Sequence, residues 1–89
     1  MTQVLDEATP ALAQMYRLQF ERAQDAWVLL YPEGMVKLNG PASEILRRCD
    51  GKRSVRELIV ELERAFNEKD LRADVCAFLD NAYGHGWIV

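Results

Sequence analysis

Apolar and polar residues alternate in the first part of the chain, whereas apolar residues recur every three or four positions in the second half. Residues 16–21 alternate strictly, which is typical of a half-buried strand. The short run at 27–31 is rich in aromatic and aliphatic side chains and predicts a central strand. Pro32-Glu33-Gly34 predicts a turn into a third strand at 35–38. We therefore expect three consecutive antiparallel strands.

Two helices are predicted after the strands. Asn39-Gly40-Pro41 supplies a cap and a first-turn proline for a helix whose apolar positions run to Cys49 and which Asp50-Gly51 ends. Ser54 and Glu57 form a capping-box pattern at the start of the second helix. Its apolar face comprises Val55, Leu58, Ile59, Leu62 and Phe66.

A third helix is predicted from a cap at Asp70 to the Gly84-His85-Gly86 segment. It carries two adjacent apolar stripes, one made of Leu71, Val75, Phe78 and Ala82 and the other of Cys76, Leu79 and Tyr83. Together they span about 160°, whereas about 100° is enough to seat a helix on a core. The second stripe therefore needs a cover, which could be the N-terminal arm, a dimer mate, the Trp87-Ile88-Val89 tail or a bound peptide.

The order of strands and helices predicts an α+β fold that is winged-helix-like, with a three-stranded antiparallel sheet followed by three helices. A chain of 89 residues is expected to form one core. We place the domain at residues 15–89. Residues 1–14 form an arm without a sustained pattern, which is either flexible or ordered by packing elsewhere, including dimer contacts.

Composition narrows the classes of partner. The chain has 11 basic and 14 acidic residues and a net charge of −3, which disfavours a nucleic acid as the main partner. It has no apolar run of the roughly 18 residues that cross a membrane and no secretory signal, so a cytoplasmic location is expected. Cys49 and Cys76 occupy apolar helix positions, which predicts reduced, buried thiols.

No motif for catalysis, for a metal or for a cofactor is found in the sequence. His85 is the single histidine, and a surface or helix-ending position between two glycines explains it better than a role as a general base. We therefore expect a binding protein without catalytic residues, metal or cofactor, and rank a stand-alone enzyme last.

A basic group between the first two helices raises a second hypothesis, a small winged-helix DNA-binding regulator. The group comprises Arg47, Arg48, Lys52, Arg53 and Arg56. These residues can be explained without DNA, either as a solvent-exposed polar edge or as positive charges that interact favourably with the dipole at a helix C-terminus. The last helix, with Asp74 and Asp80, suits phosphate poorly.

A peptide groove fits the pattern better. In a sheet with sequential strand order, the third strand lies at an edge with unpaired backbone groups, which a peptide can complete as a further strand. The second stripe of the last helix would provide an apolar wall beside that edge.

The segment Trp27-Val28-Leu29-Leu30-Tyr31-Pro32-Glu33, followed by Leu38-Asn39-Gly40-Pro41-Ala42-Ser43-Glu44-Ile45-Leu46 and Cys49-Asp50-Gly51, resembles the PqqD family of pyrroloquinoline quinone (PQQ) biosynthesis. The resemblance covers residues 16–89. It implies a non-catalytic chaperone, a recognition element for ribosomally made peptides, that binds a PqqA-like precursor and presents it to a PqqE-like radical-SAM enzyme.

The resemblance also implies where the peptide lies, beside the third strand and against the last helix. Carried over to this chain, the predicted peptide-binding residues are Met35, Val36, Lys37, Leu38, Arg72, Cys76, Leu79 and Tyr83.

Overall fold

A computed structural model describes residues 4–89 of the chain. The elements in order are β1 (Arg17–Glu21), β2 (Ala26–Tyr31), β3 (Gly34–Lys37), α1 (Gly40–Leu46), α2 (Val55–Phe66) and α3 (Arg72–Gly84). The strands form one antiparallel sheet in the order β1-β2-β3. This confirms the predicted α+β class, with three strands followed by three helices. The part of the signal-sequence prediction that rests on residues 1–3 lies outside the described residues.

The core lies between one face of the sheet and the three helices. Leu29, at the centre of β2, pairs in register with Leu18 of β1 and Val36 of β3, so these side chains share the inner face. Leu29 is fully buried against apolar residues from all three helices, among them Leu46, Leu58 and Leu79. The sheet packs this face on the helices, and on the opposite face Val28 of β2 is also fully buried.

The first two helices begin as their sequences predict. The Asn39 side chain accepts a hydrogen bond from the Ala42 backbone N–H at 2.8 Å. Ser54 and Glu57 form the complete capping box of α2. The first helix is shorter than predicted because α1 ends at Leu46, although Cys49 is still buried in the turn that follows.

The start of α3 differs from the prediction. Asp70 does not cap the helix, since its φ of 60° places it in the left-handed region just before the helix. The N-cap residue is Leu71, whose backbone N–H donates to a carboxylate oxygen of Glu63 in α2 at 3.1 Å. Leu71 makes no side-chain capping bond, and a carboxylate of the preceding helix accepts from its backbone N–H.

The described part of the N-terminal arm packs on the domain of its own chain. Pro10 is fully buried, and its carbonyl accepts from the Gly51 N–H at 3.0 Å. Ala11 and Val89 exchange two backbone hydrogen bonds, of 3.1 and 2.8 Å, so the arm pairs with the C-terminal tail. A role of the arm in dimer contacts stays a prediction.

A helix that crosses a membrane must be both long and apolar. Within residues 4–89, no helix is both long enough and apolar enough to cross a bilayer.

Candidate functional site

β3 lies at an edge of the sheet, and within residues 4–89 no strand pairs with its outer side. The Leu38 N–H donates inward to the Trp27 carbonyl at 2.9 Å. Because backbone groups alternate in direction along an antiparallel strand, the N–H and C=O groups of Met35 and Lys37 point away from β2. The outer side of β3 therefore carries backbone groups that are not part of the ladder between β2 and β3.

The side chains of the predicted residues in and after β3 divide between two faces. Val36 and Leu38 face the core, where Leu38 is buried and Val36 is half-buried. Met35 and Lys37 are exposed on the opposite face of the sheet, and Met35 is 50% exposed. The edge is therefore available through its backbone, whereas the Leu38 side chain is part of the core.

Leu79, predicted to lie in the peptide groove, is instead fully buried in the core. At about 100° per residue, Leu71 and Phe78 lie near one border of the apolar arc of α3 and Cys76 lies at the other. Leu79 lies near the middle of this arc, beside buried Val75. The two predicted stripes are thus one wide arc whose centre packs on the core. The prediction that Leu79 is an exposed groove residue is wrong.

One border of this arc, which we call the closed flank, consists of Arg72, Cys76 and Tyr83. Arg72 forms a two-pronged ion pair with Asp6 of the arm, with Nη2 at 3.2 Å from Oδ2. The hydrogen bond from Arg72 lowers the pKa of the Asp6 carboxyl from its ordinary value.

The other two residues of the closed flank are partly covered. Cys76 and Tyr83 are half-buried, as are Leu71 and Phe78 at the other border of the arc. Loss of hydration on burial raises the pKa of the Tyr83 phenol, and the Cys49 thiol adds to this effect. Burial also raises the pKa of Cys49 itself to about 12. Cys49 is buried, as the sequence predicts, and both thiols are free.

Hydrogen bonds hold the arm near both ends of α3, and between these points the arm follows the start of α2, where the Val55 N–H donates to the Ala8 carbonyl at 2.9 Å. It is tied to the first residue of α3 through Asp6, and past the end of α3 through the Ala13 N–H, which donates to the Trp87 carbonyl at 2.9 Å. Peptide contact at Arg72, Cys76 and Tyr83 stays a prediction, and at Arg72 it would have to replace the ion pair with Asp6.

The other border, which we call the open flank, consists of Leu71, Asp74 and Phe78. Beside it lies a cavity of about 380 Å³ at the junction of the three helices and the chain just after β3. Its lining residues are Asn39, Pro41, Ala42, Ile45, Leu62, Phe66, Glu68, Leu71, Asp74, Val75 and Phe78.

This cavity was not predicted from the sequence, because Phe66, Leu71 and Phe78 occupy apolar helix positions that are typical of core residues. A signal was present in α2, whose apolar face extends to Phe66, one turn beyond the buried Leu62. Phe66 is 41% exposed and forms part of the cavity wall.

Carboxylates compensate most of the basic group that suggested DNA binding. Arg47 lies 3.5 Å from Glu44, and Arg53 lies 2.9 Å from Glu61. Arg48 pairs with the same two glutamates, and Arg56 pairs with Asp6 and Glu7 of the arm. A DNA phosphate would have to compete with these intramolecular partners, which disfavours the regulator hypothesis.

The single histidine follows α3 as the sequence predicts. One ring nitrogen of His85 lies 2.9 Å from the Asn81 carbonyl, and the ring centroid lies 4.8 Å from that of Trp87. Across residues 4–89, no group of three or more His, Cys, Asp or Glu side chains is arranged to hold a metal ion.

Comparison with known proteins identifies relatives over most of the chain. Residues 26–88 match the family model described as "Coenzyme PQQ synthesis protein D (PqqD)". A protein of Pseudomonas aeruginosa named "PqqA binding protein" is 47% identical over 83 residues, which cover 92% of this chain and 90% of the relative. A protein of Rahnella aquatilis with the same name is 42% identical, with 99% and 94% coverage.

A solved structure shares the fold. The solution NMR structure of the PqqD truncation of Methylobacterium extorquens PqqCD is described as a functional and stand-alone recognition element for ribosomally synthesised and post-translationally modified peptides. It superimposes with a TM-score of 0.80 at 24% identity and covers 99% of this chain and 96% of that one. The curated relatives are named for binding, which confirms the prediction of a non-catalytic binding protein.

Proposed function

Because the chain belongs to the PqqD family of PQQ biosynthesis, we propose that it binds a PqqA-type precursor peptide by strand addition to β3 and presents it to a PqqE-type radical-SAM enzyme. The relatives are named for PqqA binding, which supports the choice of peptide. In this proposal the chain supplies no reactive group and works in the cytoplasm.

One observation carries the proposal, namely the outward-facing backbone groups of Met35 and Lys37 on a sheet edge. A peptide strand laid along this edge would form main-chain hydrogen bonds with both residues. Main-chain pairing supplies affinity for almost any extended peptide, whereas pockets for alternate side chains supply specificity. The half-buried side chains next to the edge would provide such pockets.

Presentation to an enzyme follows from what a binding protein can add to a reaction. A protein that holds the peptide on one surface and the enzyme on another raises the effective concentration of the peptide near the active site. The rate gain is then set by geometry, and it disappears when the enzyme is absent.

Strand addition is tested most directly at Lys37. Lys37→Pro removes an outward N–H without removing a bond between β2 and β3, whereas Lys37→Ala removes the side chain and keeps that N–H. We expect PqqA affinity to fall at least about tenfold in the proline variant and to stay within about twofold in the alanine variant. Amide NMR shifts on titration should concentrate in β3 and along the open flank.

The outcomes separate the alternatives. Equal affinity of the two Lys37 variants would rule out strand addition at this edge. Shifts confined to residues 47–56 would place the peptide on the basic group instead.

Presentation needs a separate assay. The precursor is incubated with this protein alone, with the radical-SAM enzyme alone and with both, and the mass of the peptide is followed. We expect modification to be fastest with both proteins and absent with this protein alone. An enzyme that is indifferent to this protein would contradict presentation.

A further inference from the structure

The cavity beside α3 has a defined chemical character. We propose that it selects precursor peptides in which a large apolar side chain stands next to a lysine or arginine. This inference rests on the proposed peptide-binding function and adds the chemistry that the bound segment must carry.

The walls of the cavity are apolar. They are formed by residues of all three helices, including Ile45 of α1, Phe66 of α2 and Phe78 of α3. A volume of about 380 Å³ lies near the lower end of the range of about 300–1,000 Å³ for ligand pockets. Phe66 and Phe78 remain partly exposed, so an inserted apolar side chain would remove their surfaces from water.

The charges that line the cavity have one sign. Glu68 and Asp74 are its ionisable lining residues, and among the described residues no Lys, Arg or His lines it. Between residues 4 and 89, neither carboxylate takes part in an ion pair, unlike the carboxylates of Asp6, Glu44 and Glu61 elsewhere on the surface. A cationic side chain beside the apolar anchor is therefore the complementary partner, whereas an acidic neighbour is repelled.

The cavity lies where a peptide on the free edge would reach it. Asn39, at its border, comes two residues after Lys37, the last residue of β3. A peptide paired with Met35 and Lys37 reaches this point by continuing about two residues past the paired segment, at about 3.3 Å per residue. The end of β3 and the border of the cavity at Asn39 are therefore only two residues apart along the chain.

The charge requirement is tested with an isosteric double variant, Glu68→Gln/Asp74→Asn. The control is Asp25→Asn/Glu33→Gln, which removes two exposed carboxylates that do not line the cavity. We expect the affinity for the PqqA precursor to fall about three- to tenfold in the cavity variant and to be unchanged in the control. The loss should shrink as NaCl is raised from low to high concentration, because the carboxylates are exposed.

The peptide cation is identified by changing each Lys and Arg of the precursor singly to Gln. One of these peptides should bind equally weakly to the wild-type protein and to the cavity variant. Its substitution removes the cation that pairs with the cavity carboxylates, so removal of the carboxylates has no further effect. If every peptide binds the cavity variant more weakly than the wild-type protein by the same factor, no specific cation is recognised and the proposal is wrong.

The apolar anchor is tested with Phe66→Ser. Val60→Ser is the matched control, because Val60 is on the same helix, is 46% exposed and does not line the cavity. We expect an affinity loss of about tenfold for Phe66→Ser and less than twofold for Val60→Ser, with circular dichroism confirming that both variants fold.

The outcomes keep the two proposals distinguishable. If the wild-type protein does not bind the precursor, the proposed function fails and this inference fails with it. If the wild-type protein binds and the cavity variants bind equally well, peptide binding stands and selection by the cavity is overturned.

Discussion

The closed and open flanks border the same helix, yet different neighbours cover them. On the closed flank, Arg72 is paired with Asp6, and the arm is bonded again past the end of α3 at Trp87. On the open flank, Leu71 and Phe78 face a cavity with acidic groups at its border. The arm thus ties one side of the helix to the rest of the fold, whereas a cavity lies beside the other side. A wide apolar arc on a helix therefore indicates a binding surface only where no other part of the same chain covers it.

The largest effect is expected at the centre of the arc between the flanks. Leu79→Glu places a carboxylate at a fully buried site, which should lower the free energy of unfolding by about 3–5 kcal/mol. Ala77→Glu, at an exposed position of the same helix, should change it by less than about 0.5 kcal/mol. Urea denaturation measures both. If the Leu79→Glu protein has normal stability and has lost only peptide binding, Leu79 lies in the peptide groove and not in the core.

The flanks themselves are compared with one serine substitution on each. Phe78→Ser on the open flank should weaken binding of the precursor at least about tenfold, because the side chain lines the cavity. Cys76→Ser on the closed flank should leave affinity within about twofold. Isothermal titration of the folded proteins gives both values. The reverse order would move the peptide to the closed flank and would require the arm to be displaced on binding.

Loosening the arm should affect stability and leave binding unchanged. Gly51 has a φ of 78°, and a Cβ there would lie 3.2 Å from the Ala11 Cβ. Gly51→Ala should therefore cost about 1–2 kcal/mol of unfolding free energy through backbone strain and displacement of the arm. Gly84→Ala has open space and is the control. Tighter peptide binding by Gly51→Ala would show that the arm competes with the peptide.

The smallest effect concerns the ion pair between the arm and α3. The pKa of Asp6 is lowered in the folded state, so the pair contributes stability above the unfolded carboxyl pKa of about 4. That contribution is lost as the pH falls through the lower folded pKa. An NMR titration of the Asp6 carboxyl carbon should show a midpoint that rises in Arg72→Gln. An unchanged midpoint would mean that Arg72 does not hold the arm in solution.

Local signals made the elements predictable. Asn39 and the Ser54–Glu57 capping box act within four residues, and they place the starts of α1 and α2 correctly. Alternation and turn residues likewise identified the three strands to within one or two residues of their observed bounds. These features depend on neighbours in the sequence, so the sequence alone contains them.

The site was less predictable because its contacts are long-range. Asp6 and Arg72 are 66 positions apart, and no periodicity indicates that they meet. The start of α3 depends on Glu63 of another helix, which the sequence pattern around Asp70 does not reveal. The cavity needs residues from three helices, so its walls looked like ordinary core positions when each helix was considered separately.

The free edge of β3 also bears on how the protein behaves in storage. Unpaired backbone groups on a strand edge can recruit a second copy as readily as a peptide, which makes such an edge the first place for self-association at high concentration. The strand is only four residues long and ends in a lysine, and both properties oppose ordered growth of aggregates. Samples mixed with precursor peptide should therefore tolerate concentration better than the protein alone, because the peptide shields the edge.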